Sequence, residues 1–123
     1  MTERERTATL SREVTVADTA AAWGADFPPA ASTPFVLGLS EVACHQAVAS
    51  DLEEGEITVG TAARIEHLVP SKVGSQLTAH ARLIAASGRR FEFEVEVFDG
   101  DELVARIAHT RAAVLRQRIT DRL

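Results

Sequence analysis

The spacing of apolar and polar residues changes character along the chain. Over residues 8–16, ATLSREVTV, Leu10, Val14 and Val16 share one parity against Thr9, Ser11, Glu13 and Thr15, which predicts a first strand. Residues 17–31, with Gly24 and the Pro28–Pro29 pair, predict a loop or lid with a short helical turn at most. STPFVLGLSEVACHQAVAS then reads as one helix of about five turns. It should start at Pro34, since proline suits the first helical position, with Thr33 as N-cap, and end near Ser50. From Glu56 the period becomes two. Ile57, Val59, Thr61, Ala63, Ile65, His67 and Val69 fall on one face; Glu56, Thr58, Gly60, Ala62, Arg64 and Glu66 fall on the other. Strands over about 76–87, 91–98 and 102–116 follow, with turns at SGRR and GD, before a charged tail, RQRITDRL, expected to fray.

The order is strand, loop, one long apolar helix and four strands joined by short turns, which implies an antiparallel sheet. A helix apolar nearly all round must be covered on most sides, and one curved sheet covers it only partly. The expected class is therefore α+β: a hot-dog fold, a five-stranded antiparallel sheet wrapped around one long central helix, with a second copy covering the rest. At 123 residues the whole chain, 1–123, is expected to form one domain, without internal repeats.

Composition narrows the classes. Hydrophobic residues make up 46%, enough for a core and too many for a disordered chain. A net charge of -5 argues against a nucleic-acid or anionic-membrane partner, and no apolar run approaches the roughly 20 residues that span a bilayer. The charged start MTERERTATLSREVTV does not read as a signal peptide, so a soluble cytoplasmic domain is expected. The lone Cys44 rules out an internal disulfide and leaves no cysteine cluster for a metal. Only one of the 13 Lys and Arg residues is lysine, Lys72, which reads mainly as codon bias.

Against that apolar helix one residue stands out. Glu41 is the only acidic residue between Asp26 and Asp51, on the side that also carries Leu37, Cys44, His45 and Val48. A buried carboxylate needs a partner or a raised pKa, so Glu41 is either a structural group bonding a neighbouring strand or a working one. His67 has the same two readings: it occupies the apolar parity of its strand, which should meet the helix, so both residues point into one layer. Together they could form an acid–base unit active near neutral pH. Thr33 is either a plain N-cap or a hydroxyl lining the same pocket, beside helix N–H groups able to hold an oxyanion. Gly60 in a strand marks a bulge or the close approach of a ligand.

These residues carry a resemblance. TPFVLGLSEVAC followed by EGEITVGTAARIEHLVPSKVG resembles the hot-dog thioesterases related to fluoroacetyl-CoA thioesterase, over roughly residues 24–115. That family sets a threonine eight residues before a glutamate and a histidine 26 after it, as one catalytic set across a dimer; Thr33, Glu41 and His67 keep both spacings. The family's strand glycine in LGTA matches Gly60 in VGTA, and its THERA resembles AHTRAAV, which aligns His109 and Arg111. The FP of its lid matches Phe27–Pro28, but the lid's second phenylalanine falls on Gly24, beside Trp23, so that element is half present.

The resemblance implies hydrolysis of an acyl-CoA, of short or compact acyl group, to a carboxylate and CoA by a homodimer with its site at the subunit interface. Glu41 would be nucleophile or general base, His67 would orient the water or the carboxylate and shuttle the proton, and Thr33 would position Glu41 or the substrate. Phe27 and Gly60 would contact substrate. Arg89, Arg90, Lys72 and Arg111 are candidates for the CoA phosphates, though Arg89–Arg90 on a turn are also ordinary solvated charge. No metal or other cofactor is required. A hot-dog enoyl-CoA hydratase and a non-catalytic acyl-CoA binding module are the competing readings.

Overall fold

The computed structural model describes residues 5–123; the first four residues of the charged amino terminus lie outside them. Strand β1 (Thr7–Glu13) precedes the long helix α1 (Thr33–Val48), and β2 (Glu56–His67), β3 (Gln76–Ser87), β4 (Arg90–Asp99) and β5 (Glu102–Leu115) follow, before a short helix α2 (Arg116–Thr120). The five strands form one antiparallel sheet in the order β1-β3-β4-β5-β2, with α1 against one face. This is the expected architecture. β4 shows why it forms: Phe93, Val95 and Val97 are buried against the helix, while Glu94 and Glu96 between them face water. The turns before and after β4 place Gly88 (φ 60°) and Gly100 (φ 62°) in the left-handed conformation that two-residue hairpins require.

Helix α1 buries Val36, Leu39, Ala43, Cys44 and Val48 on the sheet. Small Ala43 and Ala47 let its backbone approach closely, and Ser40 returns its hydroxyl to the Val36 carbonyl at 2.9 Å. Val42 is 44% exposed and Glu41 and His45 are half-buried, so the sheet covers only part of the helix. No helix among the described residues is long and apolar enough to cross a membrane.

Three local expectations are corrected and a fourth is kept. The N-cap is Ser32, not Thr33: the Ser32 hydroxyl accepts from the Phe35 N–H at 3.1 Å, and Thr33 is the first helical residue. The α-helix runs to Val48 and continues as a 3₁₀ turn over Ala49–Asp51, so helical backbone ends near Ser50 as expected. Strand β1 stops at Glu13, because Asp18 accepts from both the Thr15 N–H (2.9 Å) and the Thr15 hydroxyl (2.7 Å) and winds Val16–Asp18 into a 3₁₀ turn, leaving Val16 73% exposed. The tail over Arg116–Thr120 is helical.

The remaining difference shapes the candidate site. The β2–β5 register shifts between Gly60 and Ala62, so Thr61 is an extra residue in a β-bulge. The side chains change face there. Before the bulge the helix-facing residues are Thr58 and Gly60, opposite Ala113 and Arg111; after it they are Ala63, Ile65 and His67, opposite His109, Ile107 and Ala105. Ile57 and Val59, expected inside, are on the other side, and Thr58, expected outside, is buried. His67 keeps its expected face.

Candidate active site

Two polar clusters stand between α1 and the far edge of the sheet. The first is a pair. Since Ser32 does the capping, the Thr33 hydroxyl is free to meet His67, and its Oγ1 lies 2.9 Å from His67 Nδ1. The other ring nitrogen, Nε2, is buried with no hydrogen-bond partner. A buried imidazole nitrogen without a partner is uncommon. Burial holds the His67 ring below the usual histidine range, with the Val69 backbone opposing, so the ring is neutral at pH 7 and can act as a base. At the helix start, Pro34 has no N–H and the Phe35 N–H is capped, which leaves the Thr33 N–H as the first-turn donor for a ligand.

The second cluster surrounds Glu41. Eight residues separate it from Thr33, about 12 Å along the helix. Glu41 Oε2 accepts from Arg111 Nη1 at 2.9 Å and lies 3.7 Å from His109 Nε2. The Arg111 side chain is 9% exposed and that of His109 is 2% exposed. Arg111 also donates from Nε to the Thr58 hydroxyl (2.8 Å) and from Nη2 to the Thr58 carbonyl (2.9 Å). Its Nη1 is 3.0 Å from His109 Nε2. Because a guanidinium can only donate, His109 Nε2 must be the acceptor, and His109 Nδ1–H donates to the Ala62 carbonyl at 2.8 Å. His109 is thereby held neutral; burial, chiefly, and the Arg111 charge depress its pKa, against its backbone bond and Glu41. His45 Nδ1 extends the cluster, 2.7 Å from the Thr58 hydroxyl.

Gly60 is where this cluster meets the sheet. A Cβ there would run into Glu41 Oε2 and come within 3.1 Å of His109 Cε1 and 3.3 Å of Arg111 Nη1. The glycine thus leaves the space that the carboxylate fills.

The structure therefore joins Thr33 to His67, and Glu41 to Gly60 and Arg111, but sets the two groups apart within one chain. Arg111 is buried and bonded inside the protein rather than standing at the surface. Arg89 and Arg90 are exposed on the β3–β4 turn, paired with Glu56 (3.1 Å) and Glu92 (3.3 Å). Phe27 is 57% exposed in the loop before α1, its ring against Gly24, where an added Cβ would stand 3.2 Å away. Lys72 is exposed beside that loop, its backbone bridged to Ala30. Sequence reasoning did not single out Thr58 or His45. Thr58 was assigned the outer face, and only knowledge of the bulge at Thr61 would have brought it in.

Known proteins share the family and the fold. The family model described as fluoroacetyl-CoA-specific thioesterase matches residues 14–117. The fluoroacetyl-CoA thioesterase of Streptantibioticus cattleyicolor is 37% identical over 90 residues, 73% of this chain; the match spans 65% of that relative, just under two thirds of its length. A solved structure of the fluoroacetyl-CoA thioesterase superposes with a TM-score of 0.90 at 28% identity, covering 99% of this chain and 95% of the other. A thioesterase superfamily member from Thermus thermophilus shares the fold, with a TM-score of 0.87 at 20% identity over 97% and 88% of the two chains. With its fold, its Thr33–His67 pair and its Glu41 cluster in place, the chain belongs to the fluoroacetyl-CoA-specific thioesterase family.

Proposed function

We propose that the protein is an acyl-CoA thioesterase, and that it acts as a homodimer in which Thr33 and His67 of one protomer and Glu41 of the other complete each active site. The observation that carries this reading is the buried, unpartnered Nε2 of His67, on a ring whose other nitrogen is occupied by Thr33. Within the chain Glu41 is too far along the helix to serve it, eight residues from Thr33, so in this reading the carboxylate comes from a second copy. A relative of known structure has been crystallised with fluoroacetate and CoA, which supports a CoA thioester as the substrate.

The chemistry follows from the groups. The thioester carbonyl lies near the helix N-terminus, where the Thr33 N–H can hold the developing oxyanion, and the bare strand at Gly60 leaves room for the reacting carboxylate. In the general-base route, Glu41 takes a proton from water as the water oxygen bonds to the carbonyl carbon. Collapse of the tetrahedral intermediate breaks the C–S bond, and neutral His67 relays the proton to the departing thiolate. In the nucleophilic route Glu41 attacks the carbonyl itself and the C–S bond breaks to release the CoA thiolate. Water, oriented by His67, then hydrolyses the resulting anhydride, freeing Glu41 and the product carboxylate, with one proton of the water going to the thiolate and the other to solvent. Arg111 holds Glu41 rather than a CoA phosphate, which leaves Arg89, Arg90 and Lys72 of the four candidates exposed for the phosphates. Phe27 and its small neighbours close over a short or compact acyl group. No metal or further cofactor enters this scheme. From the CoA thioester substrate we infer a cytoplasmic location.

The test is thiol release over a panel of acyl-CoAs: acetyl, fluoroacetyl, butyryl, hexanoyl and phenylacetyl. Glu41→Gln and His67→Ala should each lower turnover about 10²-fold or more, the scale of acid–base groups. Mixing the two inactive variants should restore about a quarter of wild-type activity, since half of the randomly formed two-fold dimers carry one intact site. A mixture as inactive as its components would place the whole site within one chain. CoA thioesters bound without turnover would make the protein a binding module.

A further inference from the structure

The geometry described above leaves one half-buried group without a task. His45 lies one helical turn beyond Glu41 and makes a single side-chain contact, Nδ1 to the Thr58 hydroxyl at 2.7 Å. Thr58 is 5% exposed, so no bulk water competes for that contact. Arg111 Nε has only a hydrogen to give, so the Thr58 oxygen must accept it, at 2.8 Å. The hydroxyl hydrogen of Thr58 is then left for His45 Nδ1, which must present a lone pair. Thr58 also accepts Arg111 Nη2 through its backbone carbonyl at 2.9 Å, so one residue holds two edges of the planar guanidinium. The remaining edge, Nη1, holds Glu41 Oε2 at 2.9 Å and His109 Nε2 at 3.0 Å. The chain of bonds therefore links His45, Thr58, Arg111 and Glu41, with Arg111 donating both to Thr58, which passes its own hydrogen on to His45, and to Glu41.

We propose that His45, acting through the Thr58 hydroxyl, is a positioning residue that sets the plane of the Arg111 guanidinium and so the direction of the Glu41 carboxylate. This rests on the reading of Glu41 as the reacting carboxylate. Neutral His45 is the state that satisfies every hydrogen: a ring protonated at Nδ1 would aim a second donor at Thr58, leave the hydroxyl hydrogen without an acceptor and bring a cation toward Arg111. Burial, with the Arg111 and Arg116 charges, keeps the ring neutral.

Four variants test this. Thr58→Val and His45→Leu remove the hydroxyl or its acceptor at similar volume. Thr58→Ser keeps the hydroxyl, and His45→Asn keeps an acceptor oxygen near the position of Nδ1. Thr58→Val and His45→Leu should lower kcat about ten-fold at unchanged KM, the loss expected from one charge-assisted hydrogen bond. Thr58→Ser and His45→Asn should stay within about three-fold of wild type. The second readout needs no substrate: the Arg111 Nε–Hε resonance should be slow to exchange in the wild type, collapse in Thr58→Val and His45→Leu, and return in the two conservative variants. Unchanged kcat in His45→Leu, or equal losses in all four variants, would overturn the proposal. If the wild type hydrolyses no thioester, the thioesterase reading fails by itself. The resonance still decides: persistence in His45→Leu overturns the chain of bonds, and loss with return in His45→Asn upholds it.

Discussion

Replacing Gly60 by alanine should separate stability from activity. The backbone there is not left-handed, so alanine carries no conformational penalty, and the effect is confined to what the new methyl meets. It meets Glu41 Oε2 first, then His109 Cε1 at 3.1 Å and Arg111 Nη1 at 3.3 Å. The carboxylate ends a flexible side chain and can give way, but it is tied to Arg111 Nη1 at 2.9 Å, so a shift of about 1 Å ends that hydrogen bond. A charge-assisted bond contributes about 1.5–3 kcal/mol. With the Glu41 side chain 37% exposed, screening reduces this to about 1–2 kcal/mol. Alanine returns about 0.4–1 kcal/mol by restricting the unfolded chain. The net destabilisation is then only about 1 kcal/mol. Turnover is more exposed, since a reacting group misplaced by about 1 Å can lose about 10²-fold. Gly38→Ala is the control. Nothing lies within 4 Å of a Cβ at that position, inside the helix, so it should gain about 0.5–1 kcal/mol and keep its kcat. Thiol release gives the rates, and urea melts at one fixed protein concentration give the stabilities. If Gly60→Ala stays within about three-fold of wild-type kcat, catalysis does not depend on the carboxylate position described here.

Further outcomes follow from the same contacts. Ser32→Ala should destabilise by about 1 kcal/mol through the lost cap and leave kcat near normal, whereas Thr33→Val should do the reverse, lowering kcat about ten-fold, because Thr33 meets His67 and caps nothing; equal effects on stability would undo the assignment of the cap. His45, His67 and His109 all have pKa values lowered in the folded state, mainly by burial. The unfolded chain therefore binds more protons as pH falls below about 6.5, so this stability is complete above that pH and lost as acid titrates the folded rings. Melting temperatures from pH 8 to 5 should decline at the acid end; a flat profile would show that the rings are not held neutral. Cys44 is buried and its thiol is pushed up to about 12, so a thiol-reactive dye should label it only after unfolding; native labelling would contradict its burial and complicate the thiol-release assay.

The fold was legible because its pattern is redundant. Phe93, Val95 and Val97 alternate with glutamates, glycines stand in both flanking turns, and a long apolar run with a cap and a proline cannot be mistaken for a strand. The pairing of Thr33 with His67 was half legible. Both residues were singled out, but the threonine was assigned the cap because Thr-Pro suits a helix start as well as Ser-Thr-Pro does. The competition between two adjacent hydroxyls for one N–H is settled by backbone direction, which the spacing of residues does not record. Val16 shows the same limit: its parity is right for a strand, and the local bonds from Thr15 to Asp18 override it.

The bulge at Thr61 explains the rest and ties the fold to the site. A period-two reading carried through β2 puts one parity inside along its length, and one added residue inverts it. Without the inversion, either Thr58 and Gly60 or Ile65 and His67 could face the helix, but not both pairs. With it, the start of the strand offers a bare glycine and a hydroxyl to the Glu41 cluster, and the end offers His67 to Thr33. The lone charge in the apolar helix is tolerated for the same reason: inversion brings Gly60 opposite Arg111 on the helix-facing side, so the carboxylate finds both space and a cation there. The irregularity that misleads a sequence reading is what lets one strand furnish side chains to both polar clusters.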